Sequence, residues 1–124
     1  MTNASWQPLR SRDAFGRLYH DGRRLDSRLI RCMFFFTDDT PSTVRAAFAV
    51  PGKEFISVQR HRIKRLMRES LRKEIPALHR SLAETRQSVS LILMFKGTKE
   101  MPRPSLQSVQ ESVASICLAL RGNV

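Results

Sequence analysis

Apolar and polar positions follow two rhythms along this chain, and the rhythm separates helix from strand. From Leu9 to His20, Phe15, Leu18 and Tyr19 recur at i, i+3, i+4, which predicts a helix. Ser11 or Asp13 is placed to cap it and Asp21-Gly22 to end it. Leu29 to Thr37 switches to period two, with Ile30, Cys32, Phe34 and Phe36 on one face and Arg31, Met33 and Phe35 on the other. The turn signal Asp38-Asp39-Thr40-Pro41-Ser42 follows. A second strand, Thr43 to Val50, comes at hairpin distance and stops at Pro51-Gly52. It sets Val44, Ala46, Phe48 and Val50 against Arg45, Ala47 and Ala49. In both strands one face is large and apolar, while the other carries an arginine and, in the second strand, only small residues. That pattern describes a sheet packed on one side and open to a ligand on the other.

Ile56 to Ile75 reads as the main helix, closed by Pro76, with Leu78 to Thr85 as a further loose turn. Ile56, Ile63, Leu66, Met67, Ser70 and Leu71 share its apolar arc. Val89 to Phe95 is a third strand, ending at Lys96-Gly97. Beyond Met101-Pro102-Arg103-Pro104, an apolar stripe of Leu106, Val109, Val113, Ile116, Cys117 and Leu120 marks a last helix, with Ser105 as its cap. The predicted order is α-β-β-α-β-α: an α+β fold in which a small mixed sheet carries helices mostly on one face. A length of 124 residues suits a single domain, 1–124.

Charge changes this picture from a generic domain to one with a polyanionic partner. Lys and Arg number 22 against 11 Asp and Glu, a formal net charge of +11. The excess concentrates in the main helix, where Arg60 to Lys73 holds seven cations and one acid, Glu69. Arg60, Lys64, Arg68 and Arg72 follow one another at i, i+4, and Arg62, Arg65 and Lys73 complete the exposed side. Solvated helix faces mix signs, because like charges at this spacing repel by a few tenths of a kcal/mol each. A face that tolerates this repulsion repeatedly fits a phosphate backbone, and arginine's planar fork suits phosphate. Seven more arginines lie between Leu9 and Arg31, interleaved with Asp13, Asp21 and Asp26, so ordinary solvation accounts for part of that set.

The stretch Arg60-His61-Arg62-Ile63-Lys64-Arg65-Leu66-Met67-Arg68-Glu69 resembles the arginine-rich signature of the bacterial ribonuclease P protein family: Arg-Asn-Arg, one residue, Lys-Arg, two residues, Arg. The opening Leu9-Arg10-Ser11-Arg12-Asp13-Ala14-Phe15, with Tyr19, Gly22 and Arg23, is similar to the family's opening. Arg45 to Val50 and Lys53 sit where the family has its small-residue strand and a lysine. His61 stands where the family usually has Asn, Phe55-Ile56-Ser57-Val58 replaces the usual approach to the helix, and Pro51-Gly52 replaces a Ser-Lys pair.

The resemblance, spanning roughly Leu9 to Leu120, implies a sandwich like the second domain of ribosomal protein S5, with a left-handed βαβ crossover that departs from the usual hand. It implies that Arg60, Arg62, Lys64, Arg65 and Arg68 contact a catalytic RNA subunit, with His61 and Arg72 on the same basic face. It places the single-stranded 5′ leader of precursor tRNA at Phe15, Tyr19, Met33, Ala47 and Ala49, with Arg10, Arg12, Arg31, Arg45 and Lys53 as nearby cations. Aromatic platforms in a basic groove are how single strands are held with little base reading. In this reading the RNA performs the hydrolysis with RNA-bound Mg²⁺, no cofactor is held by side chains alone, and the polypeptide by itself is inactive. One protein would join one RNA subunit.

The remaining residues agree with a non-catalytic chain. The acids are scattered, which disfavours a carboxylate site for Mg²⁺, and Asp38-Asp39 is explained by its turn. His20, His61 and His79 form no acid–base pair motif. Cys32 and Cys117 are too few and too far apart for a zinc site and read as buried free thiols of a cytoplasmic protein. Met1 to Arg12 has no apolar core of a secretion signal, and no apolar run reaches membrane-spanning length. Three other readings compete: a ribosomal or ribosome-assembly RNA-binding protein, a DNA-binding protein using its basic helix, and an amphipathic helix at a membrane surface.

Overall fold

The computed structural model describes residues 6–124; residues 1–5, the first part of the segment read above for a secretion signal, lie outside the described residues. Five strands and three helices follow in the order β1 (Trp6–Pro8), α1 (Arg12–Asp21), β2 (Arg23–Asp26), β3 (Ile30–Thr37), β4 (Val44–Ala49), α2 (Ser57–Thr85), β5 (Ser88–Phe95) and α3 (Leu106–Asn123). The sheet order is β1-β4-β5-β3-β2. β4 runs parallel to β1 and β5, while β3 is antiparallel to β2 and β5. The sheet is therefore mixed, and α2 is the crossover of a βαβ unit joining β4 to β5.

β5 takes the centre because it is apolar on both faces, as central strands with two covered faces must be. This corrects the expected hairpin: β3 and β4 do not pair, and β5 lies between them. On one face, Phe34, Leu91, Leu93 and Val44 meet Ile63, Met67, Leu71 and Ile75 of α2 and Val109, Val113 and Ile116 of α3 in the main core. The buried Ser70 hydroxyl is satisfied by donating to the Leu66 carbonyl at 2.7 Å, one turn back. On the opposite face, Leu18 of α1, Leu9 and Ile92 form a smaller core.

The expected elements are present with four differences. Strands β1 and β2 escape the sequence reading because three or four residues are too few to show a period. Pro76 does not close the helix: α2 runs through it to Thr85, and Ile75, Leu78 and Leu82 stay buried on either side. The proline itself is exposed, so its missing donor and its ring fall on the solvent side while the apolar stripe holds the helix together. Ile56 is 66% exposed rather than core, because it is the extended residue before the helix and the helical wheel does not apply to it. Leu106, at the first position of α3, is also exposed.

Capping follows the sequence more closely. Ser11 accepts from the Ala14 N–H, and Ser105 accepts from the Ser108 N–H. Gly22 ends α1 by donating to the Leu18 carbonyl at 3.1 Å. A Cβ there would stand 2.2 Å from that oxygen, so only glycine permits the approach.

Candidate nucleic-acid interface

The cations of α2 divide by what their side chains touch. Arg60 turns back on its own chain, donating to the carbonyls of Phe55 (2.7 Å) and Gly52 (3.4 Å) and to the Ser57 hydroxyl (3.2 Å). It thereby ties the turn carrying the exposed Lys53 to the start of the helix. Gln59 adds to this entry by accepting from the Ile56 N–H at 3.2 Å, which serves in place of a capping side chain that isoleucine lacks. Arg72 is paired with Glu69, which lowers the Glu69 carboxyl and raises the Arg72 guanidinium from their ordinary values. Arg68 lies with its guanidinium carbon 5.9 Å from the centre of the Phe48 ring.

His61, Arg62, Arg65 and Arg68 line one shallow concavity together with Val58. Among the described residues, His61, Arg62, Lys64 and Arg65 make no salt bridge or side-chain hydrogen bond to the rest of the chain, so their donors are turned to solvent. This is the arrangement a phosphate backbone needs: several cations on one rigid helix, three or four residues apart, with no acid competing at close range.

The second candidate region is the sheet face under α1. Strand register sets Met33, Ile92 and Ala47 in one row, Arg31, Met94 and Ala49 in the next, and Phe35, Ser90 and Arg45 in a third. Helix α1 covers part of this face, so it is not the bare surface that the alternation alone predicts. Phe15 packs against the smaller core while remaining partly exposed, and Tyr19 is 60% exposed. Ala47 and Ala49 stay partly accessible beside them. Phe35, absent from the sequence-based set, is covered by Arg17, whose guanidinium carbon is 4.2 Å from the ring centre. Arg10 and Arg12 are exposed at the entry to α1.

One acid organises the far end of this face. Asp26 receives Arg31 at 3.0 Å and Lys96 at 3.3 Å, with Arg24 at 3.8 Å. The hydrogen bond from Arg31 and then that from Lys96 hold its carboxyl below the usual range, against an opposing effect of desolvation. Arg31 and Lys96 also border a depression of about 460 Å³ floored by Ala49, Pro51 and Met94. Arg45 pairs with Asp39 at 3.7 Å, a contact that gives the turn acid a structural partner. Sequence reading misses Asp26 because its partners come from β2, β3 and the end of β5, which only the sheet brings together. It misses Ile92 and Met94 because β5 is apolar on both sides from Leu91 to Phe95, which hides which residues face which side.

The remaining chemistry-bearing residues have local explanations. His79 is within hydrogen-bond distance, 3.0 Å, of the Ser42 carbonyl. Cys32 and Cys117 are buried free thiols, and burial pushes Cys117 up to about 12 and Cys32 further in the same direction. Among the described residues, no three His, Cys, Asp or Glu side chains gather as a metal site, and no helix is long and apolar enough to cross a membrane.

Comparison with known proteins places the chain in a family. The family model for Ribonuclease P matches residues 5–117. Among solved structures, the RNase P protein from Thermotoga maritima is 18% identical with a TM-score of 0.68, covering 90% of this chain and 94% of that one. The Staphylococcus aureus RNase P protein is 20% identical with a TM-score of 0.63, covering 90% and 93%. At that identity the structures speak for the fold, and the family model speaks for membership. No curated protein matches the sequence. The chain belongs to the bacterial ribonuclease P protein family, the protein component of a tRNA-processing endoribonuclease.

Proposed function

We propose that this chain works in ribonuclease P by holding two RNAs at once. The catalytic RNA subunit lies along α2, contacted by His61, Arg62, Lys64, Arg65 and Arg68, with Arg72 at the end of the row. Arg60 contributes by fixing the turn that presents Lys53, and keeps its remaining donors for RNA. The single-stranded 5′ leader of precursor tRNA runs over the sheet face beside α1. Phe15, Tyr19 and Met33 offer surfaces for bases, Ala47 and Ala49 allow close approach, and Arg10, Arg12, Arg31 and Arg45 supply charge.

The observation that carries this reading is the row of unpaired cations on α2, set on a rigid helix at the edge of a family fold. The protein's work is to position substrate and to screen repulsion between two polyanions. Mg²⁺ does not fit its side chains, since the acids either stand apart or are engaged with arginine and lysine, as Asp26, Asp39 and Glu69 are. Mg²⁺ held by the RNA would supply the activation of the attacking water. The assembly is one protein to one RNA.

The deciding experiment is cleavage of precursor tRNA by ribonuclease P RNA at low Mg²⁺, with and without this chain. The expected result is restored cleavage at the leader junction, with no cleavage by the protein alone. Binding without rescue would instead favour a ribosomal type of RNA-binding role.

A further inference from the structure

Next to the basic face of α2 lies a groove of about 320 Å³, between the first turns of that helix and the segment joining β5 to α3. Its floor is Phe55 and Ile63, 8% and 2% exposed, while Val58 and Met101 at its rim are 74% and 38% exposed. Large apolar side chains gathered in an open groove call for an occupant. Three cations, Arg62, Lys99 and Arg103, border the same groove, and no acid is among its lining residues.

The groove is built in advance of any ligand. The Lys96 N–H donates to the Leu29 carbonyl at 2.7 Å, the Lys99 N–H to the Glu54 carboxylate at 3.3 Å, and the Met101 N–H to the Thr98 carbonyl at 3.1 Å. Gly97 lies against the Phe95 ring, where a Cβ would come within 2.5 Å of ring carbons, so the segment reaches this position only with glycine. Pro102 and Pro104 stiffen the return to the capped start of α3. An occupant therefore meets little ordering cost on the protein side.

Positive charge at the rim selects an anion, and an aromatic and aliphatic floor selects a flat apolar group. A nucleotide combines both. Bases paired inside an A-form helix are withheld from such a floor, so the nucleotide must be unpaired. Val58 and Arg62 line both this groove and the shallow concavity of His61, Arg65 and Arg68, so the two are continuous. A polyanion resting on α2 leads directly into the groove, which favours a nucleotide within a bound RNA over a free one.

We infer that this groove receives one unpaired nucleotide of the RNA lying along α2, with its base against Phe55, Val58 and Met101 and its phosphates on Arg62, Lys99 and Arg103. This rests on the reading that the RNA subunit occupies α2. Gln59, whose carbonyl oxygen is taken by the Ile56 N–H, keeps its amide N–H₂ for the base edge.

The test is chemical probing of ribonuclease P RNA, with dimethyl sulfate and 2′-hydroxyl acylation, in complex with the full chain. Wild type is compared with Met101→Asp and with the double variant Lys99→Ala/Arg103→Ala, whose side chains are exposed. Expected is a short unpaired stretch protected by wild type that regains reactivity with Met101→Asp while other protections persist. The double variant should bind about tenfold more weakly and lower the salt slope by about two. Wild-type affinity and footprint in both variants would overturn the groove assignment alone. Absence of any protection by the wild-type protein would overturn the RNA-subunit reading and the groove with it.

Discussion

Arg60 and Arg65 both belong to the arginine-rich run, yet their side chains do different work. Arg60 donates to two carbonyls and a hydroxyl of the preceding turn, whereas Arg65 is exposed with no partner among the described residues. Losing Arg60's bonds should cost about 1–2 kcal/mol, because charged hydrogen bonds at a half-exposed site retain part of their strength. Urea unfolding of Arg60→Ala is expected to show that loss, and Arg60→Lys not to restore it, since an ammonium lacks the fork. Arg65→Ala should stay within about 0.5 kcal/mol of wild type while weakening RNA binding. Asp26 offers a pH readout at the same scale. Its carboxyl lies below the ordinary value of 3.8 chiefly because Arg31 donates to it. A carboxyl lowered by folding stabilises the protein above its unfolded value, and the effect is lost as pH falls through the folded value. The stability gap between wild type and Asp26→Asn should therefore be present at neutral pH and close below 3.8. It should be under about 1 kcal/mol, as exposed ion pairs are weak. A gap that widens in acid would show that Asp26 acts through something other than its charge.

At the scale of elements, α2 carries the most consequence. One helix supplies the crossover between parallel strands, the largest part of the main core and the unpaired cations. Its continuity through Pro76 can be tested by Pro76→Ala. In an unbroken helix the substitution returns a backbone donor and removes a ring clash, and about 2 kcal/mol of added stability is expected after allowing for the unfolded chain. Were the helix divided there, proline would suit the first turn of the second piece and alanine would bring no gain. Guanidinium unfolding distinguishes the two. Helix α1 plays a narrower part: it covers only some of the second sheet face, packing Phe15 against the smaller core and leaving Tyr19 exposed beside it.

For the whole molecule, a formal net charge of +11 predicts RNA binding that weakens steeply with salt. Affinity for ribonuclease P RNA should fall by orders of magnitude between roughly 50 and 200 mM salt, because several counterions are released per complex. The triple variant Arg62→Ala/Lys64→Ala/Arg65→Ala should reduce the slope of log affinity against log salt by about three. Its circular dichroism and melting should remain those of wild type, since among the described residues none of the three has a side-chain hydrogen-bond or salt-bridge partner. A flat salt response in the wild-type protein would remove the electrostatic basis of the proposed function.

The sequence by itself determined the elements whose patterns are long enough to repeat. The alternation in β3 and β4, the apolar stripes of α2 and α3, the serine caps and the run of cations on α2 were all legible because each depends on neighbours a few residues away. Family membership was legible for the same reason, since its signature is a local run from Arg60 to Arg68. Only tertiary structure decided what depends on partners distant in sequence. It placed β5 between β3 and β4, because the strand apolar on both faces belongs in the middle. It carried α2 across Pro76, because burial on one side outweighed a missing donor on the other. It gathered Arg31, Lys96 and Arg24 on Asp26, and set Lys99 and Arg103 beside Arg62, because contacts across a sheet or between a loop and a helix leave no period in the chain.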